Sequence, residues 1–290
     1  MCKDLDFDIL ISGHQHMSLN TKLFSKVVTQ CKENGKEFVL IDYDLETKQS
    51  HVELIKPKGY SVDLYNALLP LENSVQKWLD EPVGIVENVD LKIHDGFDAR
   101  LHKSPLISFI NEAQRELVNA DLSGSALFNN AVGFNSRISI RDLISTYVYT
   151  NTVYKVKING KQLREYLEVN ARYFDISNDE IVVSEDYLKP TEKHFNYDMV
   201  DGVEYTIKVS NPRGQRIITL KHNGIDVKDD DEFSLAISNF RYGGSGGFDV
   251  FKNTEVLQAS DEDMIVVLAN YLMKNKITFV NHIDNIKVIK

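Results

Sequence analysis

Thr152-Val153-Tyr154-Lys155-Val156-Lys157-Ile158, then Asn159-Gly160, then Lys161-Gln162-Leu163 and on to Phe174, is the stretch that decides the fold. The first seven residues are dominated by β-branched and aromatic side chains and read as a strand. Asn159-Gly160 reads as a tight turn. Beyond it Leu163, Tyr166, Leu167 and Ala171 recur at helical spacing, so residues 161–174 read as a helix. A strand feeding an amphipathic helix predicts an α/β or α+β domain built on a mixed sheet.

Toward the C-terminus the alternation continues. Residues 203–209 and 216–222 read as strands split by Asn211-Pro212-Arg213-Gly214, and Asn223-Gly224 as a second turn before a strand at 233–238. Ser260 and Asp263 are placed to cap a helix over 264–273, because a hydroxyl and a carboxylate there meet free N–H groups. Residues 277–289 are expected to finish the sheet. Toward the N-terminus, Ser104-Pro105 opens a helix, with proline at a position where its missing N–H costs nothing.

Leu64, Leu68, Leu71, Val75 and Trp78 repeat every three or four residues, so 62–79 reads as a helix, stopped by Glu81-Pro82-Val83-Gly84. Before it, 6–12, 24–30, 37–44 and 50–55 read as strands, the second and third split by Glu33-Asn34-Gly35-Lys36. The expected organisation is a β-rich segment over 1–58, a linker helix over 59–82, and the mixed-sheet domain over 83–290. A core strand so close to residue 1 reads as a domain entered halfway.

Composition narrows the function. With 42% hydrophobic and 10% aromatic residues, the chain of 290 residues can bury a sizeable core. A formal net charge of −10 argues against wrapping polymeric nucleic acid, although one local basic pocket suffices for a single nucleotide. Cys2 and Cys31 give neither a disulfide framework nor a metal-ligand spacing. No apolar run is long enough for a membrane span, and the first residues lack the layout of a signal peptide.

Three stretches carry candidate chemistry. Gly13-His14-Gln15-His16 follows a predicted strand, so both imidazoles project from its end; alone, this spacing is as consistent with turn histidines as with ligands. Ser238-Asn239-Phe240-Arg241-Tyr242-Gly243-Gly244-Ser245-Gly246-Gly247 runs from a strand into a glycine-rich loop, whose Gly244 and Gly246 permit close backbone approach to a polar ligand. It matches neither a P-loop nor a dinucleotide fingerprint. Tyr147-Val148-Tyr149-Thr150-Asn151-Thr152 is aromatic-rich, and alone reads as core or sheet-face tyrosines.

Together these pieces resemble the C-terminal domain of the 5′-nucleotidase family, in the branch of the 2′,3′-cyclic-nucleotide 2′-phosphodiesterase/3′-nucleotidases. Tyr149-Thr150-Asn151-Thr152 is similar to the branch's Tyr-Pro-Asn-Thr pattern, and Asn239-Phe240-Arg241 with the glycines to its Asn-Tyr-Arg-Ala-x-Gly-Gly pattern. The likeness runs through residues 78–84, 99–105 and 197–205. Strand-Gly-His-x-His resembles the final motif of the metallophosphoesterase superfamily, which makes 1–58 look like a remnant of that domain's sandwich.

The resemblance implies that Tyr149 and Phe240 sandwich a nucleobase, that Asn151 contacts it, and that Arg100 binds substrate. The family's Gly-Gly-x-Arg segment falls at 128–137, where Arg137 is an imperfect match, and the loop's aspartate falls near Ser245 or Gly246. It further implies His14 and His16 as catalytic metal ligands in a centre of two divalent ions, zinc or manganese, that activates water for phosphate-ester hydrolysis. The other ligand motifs precede Gly-His-x-His in that superfamily, so the centre is expected to be incomplete here, with the segment carrying them as a partner. The expected function is the nucleotide-binding part of a metal-dependent nucleotidase, inactive as this chain alone. The alternatives are a catalytically dead nucleotide-binding module and a nonfunctional piece of a split gene. The resemblance implies an extracellular, cell-wall or periplasmic setting, which a signal outside these residues would have to supply.

Overall fold

The computed structural model describes residues 2–274 and 277–290. The chain forms two compact units, one ending at Ser74 and the other beginning at Val75. In the first, Lys26–Gln30 is the centre of a three-stranded sheet, parallel to Ile9–Ile11 and antiparallel to Leu19–Leu23. Phe38–Tyr43 and Ser50–Ile55 pair as a hairpin. The strand expected at 24–30 starts two residues later, because Phe24 (φ 51°) and Ser25 (φ 67°) make a left-handed turn from Leu19–Leu23, a strand the sequence reading missed. The strand expected at 6–12 pairs only over Ile9–Ile11. The helix Val62–Leu79 forms over the full range expected, and it buries none of its residues.

The second unit holds the main hydrophobic core, which draws its buried residues from Val83 to Ile286. Its five-stranded mixed sheet runs, in spatial order, Asp198–Asp201, Leu122–Ala126, Glu232–Ser238, Val153–Asn159 and Glu255–Ala259. Glu232–Ser238 lies parallel to Leu122–Ala126 and antiparallel to Val153–Asn159. A four-stranded sheet sets Glu204–Lys208 between Ile217–His222 and a parallel Ile286–Ile289. The helix Pro105–Val118 supplies Leu106, Ile107, Phe109, Ile110 and Ala113 to the core.

Asn159-Gly160 is a helix start, which corrects the expected tight turn. Asn159 Oδ1 accepts from Gln162 N (2.8 Å) and Gln162 Oε1 accepts from Asn159 N (2.9 Å), a reciprocal cap that lets the helix Gly160–Asn170 begin directly off the strand. A side chain at Gly160 would collide with the Lys228 carbonyl, so only glycine fits this join. The last helix, Met264–Met273, is capped by Asp263, whose Oδ1 accepts from Ile265 N at 2.9 Å. The expected strand over 277–289 is paired only at Ile286–Ile289, apart from a single bridge of Thr278 to Val86. Leu122-Ser123-Gly124-Ser125-Ala126 escaped the sequence reading; all five residues are buried, so nothing in them alternates.

Candidate functional site

The two short motifs of the second unit meet at one end of the central strands. Val153 and Ser238 are paired at the ends of their antiparallel strands, so the residues just outside the ladder face each other. Asn239 N donates to Thr152 O (2.9 Å), and Asn239 Oδ1 accepts from Thr152 N (3.2 Å) and from Phe240 N (2.9 Å). One side chain therefore closes the ladder and fixes the backbone of its own neighbour. Asn151 is held on the same side, its carbonyl accepting from Met264 N (2.9 Å) and its amide donating to Tyr147 Oη (3.3 Å).

Tyr149 and Phe240 are both brought here, each just outside a strand. Tyr149 lies in the loop between the helix Ile140–Thr146 and the strand, and Phe240 in the helical turn Asn239–Tyr242 that follows the other strand. They stay 44% and 42% exposed, which large aromatic rings avoid when the core has room for them. A third ring spans them. Phe195 sits 6.1 Å from Tyr149 and 6.4 Å from Phe240, centroid to centroid, with its plane tilted by 61° and 70°. Phe128 backs Tyr149 edge-on at 4.8 Å and touches the buried Tyr147 at 4.9 Å. Phe195 went unnoticed in the sequence because it lies outside every motif singled out there, and Phe128 entered only as the first residue of the 128–137 segment, with no role of its own.

A buried ion pair underlies these rings. Arg241, 3% exposed, donates from Nε and Nη2 to Asp198 Oδ2 and Oδ1 at 2.6 and 2.7 Å. Asp198 Oδ2 also accepts from Tyr166 Oη at 2.7 Å. The same guanidinium donates to Ser245 O (2.9 Å) and Phe195 O (2.9 Å), so the glycine loop and the third ring hang on one group. It also lies 4.0 Å from the Phe248 ring centroid. Burial opposes its charge, but the Asp198 carboxylate more than offsets this and holds the guanidinium above its usual range. Burial, reinforced by Asp198, drives the Tyr166 hydroxyl well above its ordinary value, so it stays a donor.

Gly244 and Gly246 both adopt φ of +80°. At Gly246 a Cβ would approach Asn196 Oδ1 to 2.5 Å and Arg241 Nη1 to 2.8 Å, so the loop closes down on its own support. At Gly244 the nearest atom would be Lys252 Cε at 3.3 Å, a far looser setting.

Arg100 lies beneath the surface. It is 3% exposed and donates to three carbonyls, Gly96 O (2.6 Å), Leu127 O (3.0 Å) and Phe128 O (3.0 Å). Burial pulls its guanidinium below the usual range, and its Nε has no hydrogen-bond partner. In this conformation Arg100 props the backbone of Phe128, the ring behind Tyr149. Arg137 is exposed on the strand Arg137–Ser139, which pairs with Pro82–Ile85 and carries none of these rings.

In the first unit, His14 (φ 78°) and His16 (φ 53°) follow the strand Ile9–Ile11 and are exposed. Among the described residues no three His, Cys, Asp or Glu side chains gather as a metal site. Two imidazoles fall short of the donors that two bridged divalent ions take, so the residues present do not by themselves fit such a centre. A recess of about 670 Å³ around Glu112, Arg115, Asp121 and His222 shares no residue with the aromatic site. Two of its carboxylates are already engaged, Asp121 by Ser234 and Asp201 by Lys103.

Residues 82–253 match the family described as 5′-nucleotidase, C-terminal domain. The chain belongs to this family. The match takes in both ring-bearing motifs, Asp198 and Arg241. A 2′,3′-cyclic-nucleotide 2′-phosphodiesterase/3′-nucleotidase of Salmonella typhimurium is 28% identical over 83% of this chain and 38% of its own length. A trifunctional nucleotide phosphoesterase protein of Bacillus subtilis is 24% identical over 94% of this chain and 22% of its own length. The chain thus spans well under half of either relative. A solved structure of a putative 5′-nucleotidase from Staphylococcus aureus, in complex with alpha-ketoglutarate, aligns with a TM-score of 0.84 at 31% identity, over 98% of this chain and 57% of that one. The mixed α/β fold is thus that of the family.

Proposed function

We propose that this chain is the nucleotide-holding part of a phosphoesterase acting on nucleotides, with the base held between Tyr149 and Phe240. The observation that carries the reading is the pair of half-exposed rings delivered by two separate motifs, which Asn239 ties together through Thr152 N and Phe240 N. A flat π system stacks on such walls whatever its hydrogen-bonding pattern, at roughly 1–3 kcal/mol per base. Gly243 N and Gly244 N are spent on Asn239 O and Arg241 O, so backbone N–H groups offered to the polar remainder of the ligand would come from residues 245–247. Asn151 adds a hydrogen-bonding amide beside the slot. Arg100, buried as it is, acts on the ligand through the Phe128 backbone.

The hydrolysis itself belongs, on this reading, to a two-metal centre toward which His14 and His16 are ligands and for which further donors are needed. Such metals supply an activated water and a clamp on the phosphate oxygens. We therefore expect binding without turnover from this chain alone, and a setting outside the cytoplasm, as the resemblance implies. That no three potential ligands gather among the described residues favours a second reading, a nucleotide-binding module that acts without chemistry.

Isothermal calorimetry of the whole chain with adenosine, uridine, 3′-AMP and 5′-AMP tests the first statement. Tyr149→Ala and Phe240→Ala are each expected to weaken binding about tenfold or more, as loss of a stacking partner implies. Unchanged affinity in both variants would end the clamp. Turnover with Mn²⁺ or Zn²⁺ that disappears in the double change His14→Ala, His16→Ala would overturn the expectation of inactivity.

A further inference from the structure

The recess of about 670 Å³ around Arg115 and His222 lies apart from the rings, and three pieces of the second unit build it. The helix Pro105–Val118 ends at its wall, where Asn119 turns left-handed (φ 48°) and Ala120 N donates back to Arg115 O at 3.1 Å. The link Asp201–Glu204 between the two sheets forms a second wall. Gly202 (φ 95°) lets this link approach the chain beyond the helix, since a Cβ there would lie 2.6 Å from Asp121 O. His222 Nδ1 donates to Gly202 O at 2.8 Å and its Nε2 accepts from Asn223 Nδ2 at 3.0 Å, so both ring nitrogens are engaged. Asn281, Ile283 and Asn285 supply the third side.

Most of the charge on these walls is already matched. Asp201 is held by Lys103 and Asn111, Asp121 by Ser234, and Glu116 by Lys274, while Glu112 accepts from Asn281 N at 3.3 Å. Arg115 is the exception. Among the described residues its guanidinium has neither a hydrogen bond nor an ion pair, and its Nε is shut off from water without a partner. One edge of this cation is therefore dry before any ligand arrives, which lowers the further desolvation that binding requires. The side chains of Asn119, Glu204 and Asn281 also lack a hydrogen-bond partner among the described residues.

The lining selects the class of ligand. None of the described residues that line the recess is Phe, Tyr or Trp, so a nucleobase has nothing to stack on. Carboxylates outnumber cations on the walls, which disfavours a phosphate or a carboxylate. No three His, Cys, Asp or Glu side chains gather for a metal ion among the described residues. A neutral molecule with many hydroxyls suits such walls, because each hydroxyl both donates and accepts. We propose that this recess binds a saccharide, whose oxygens accept from the terminal nitrogens of Arg115 and whose hydroxyls donate to Glu204. The amides of Asn119 and Asn281 do both, and Ile283 with Ala120 meets the C–H faces of the sugar ring. The volume is that of a small-molecule site.

The test is saturation-transfer NMR on the whole chain, with glucose, galactose, mannose and N-acetylglucosamine each titrated alone. At least one of these sugars is expected to bind. Arg115→Met, which keeps the apolar stem, should weaken that binding about tenfold or more, as loss of hydrogen bonds from a charged group implies. Glu204→Gln should weaken it less. Adenosine affinity should stay at the wild-type value in both variants, because the recess shares no residue with the rings. Arg115→Lys replaces the methionine variant should the latter fail to melt cooperatively, and a loss of sugar affinity is again expected. No saturation of any of these sugars by wild type would overturn the proposal, as would sugar binding unaltered at both Arg115 and Glu204. Inorganic phosphate or glycine bound through Arg115, with no sugar bound, would give the recess to a charged ligand and overturn it as well.

Discussion

Asn239 and Thr152, 87 positions apart, exchange two hydrogen bonds, backbone N to Thr152 O at 2.9 Å and Thr152 N to the Asn239 side chain at 3.2 Å. This clasp turns two unrelated-looking motifs into one site. Asn239 Oδ1 also accepts from Phe240 N, so one carboxamide sets both the spacing of the motifs and the direction of a ring.

Asn239→Ala should therefore cost about 1 kcal/mol or somewhat more, because two backbone donors lose their acceptor, Thr152 N in a part-buried place and Phe240 N in an exposed one. Adenosine affinity should drop with it. Asn239→Asp keeps an acceptor and should recover most of the stability. Urea unfolding of both variants measures this, and equal losses would show that the oxygen is not what matters.

The Arg241–Asp198 pair, about 4% exposed on both sides, makes a sharper prediction. Asp198→Ala leaves a guanidinium buried without its carboxylate, and should cost about 3–5 kcal/mol. Tyr166→Phe removes one neutral donor to the same carboxylate and should cost about 1 kcal/mol. Replacing both charges, Arg241→Met with Asp198→Leu, should cost less than Asp198→Ala alone, since no buried charge is left unpaired. A denaturant series decides the order.

Acid should destabilise the protein before its carboxylates titrate. Burial lowers the His194 pKa below the usual 6.5, with Arg100 adding to it, and burial lowers that of His282, with Lys103 adding to it. Below about pH 6.5 the unfolded chain takes up these protons before the folded one does, so stability falls as pH falls. It is unaffected by the two histidines at higher pH. Thermal melts from pH 7.5 to 5 should slope downward toward acid, and His194→Gln with His282→Gln should flatten that slope. A slope unchanged by the double variant would clear both residues.

Residues 75–290 should fold by themselves. The main core cluster lies wholly between Val83 and Ile286, and the chain divides into compact units at Ser74 and Val75. Differential scanning calorimetry of a chain beginning at Val75 should show one cooperative transition. A featureless trace would mean that the first unit is part of the same folding unit.

Some of this was legible in the residues. The helices Val62–Leu79 and Met264–Met273 and the strand Ser50–Ile55 form over the ranges their patterns predict, because periodicity, a proline-glycine stop and an aspartate cap act within a few residues. Tyr149, Phe240 and Asn151 were legible as candidate site residues through short motifs, and the structure brings them to one end of two adjacent strands. Asn159-Gly160 was misread because asparagine serves turns and helix caps alike; what selects between them is Gln162, three residues on.

The sequence by itself determined the alternation of strands and helices, the family, and the identity of two of the rings. The tertiary structure alone decided that Leu122–Ala126 is a buried interior strand, since a run of mostly small residues shows no face until neighbours cover both sides. It likewise decided that Arg100 faces inward and that the Phe195 ring comes within 6.1 Å of Tyr149 and 6.4 Å of Phe240. Local patterns report forces acting over one or two turns of chain. The position of the Phe195 backbone depends on Arg241, 46 residues away, which is held in turn by the Asp198 carboxylate. Such contacts exist only once the register of the sheet has been set.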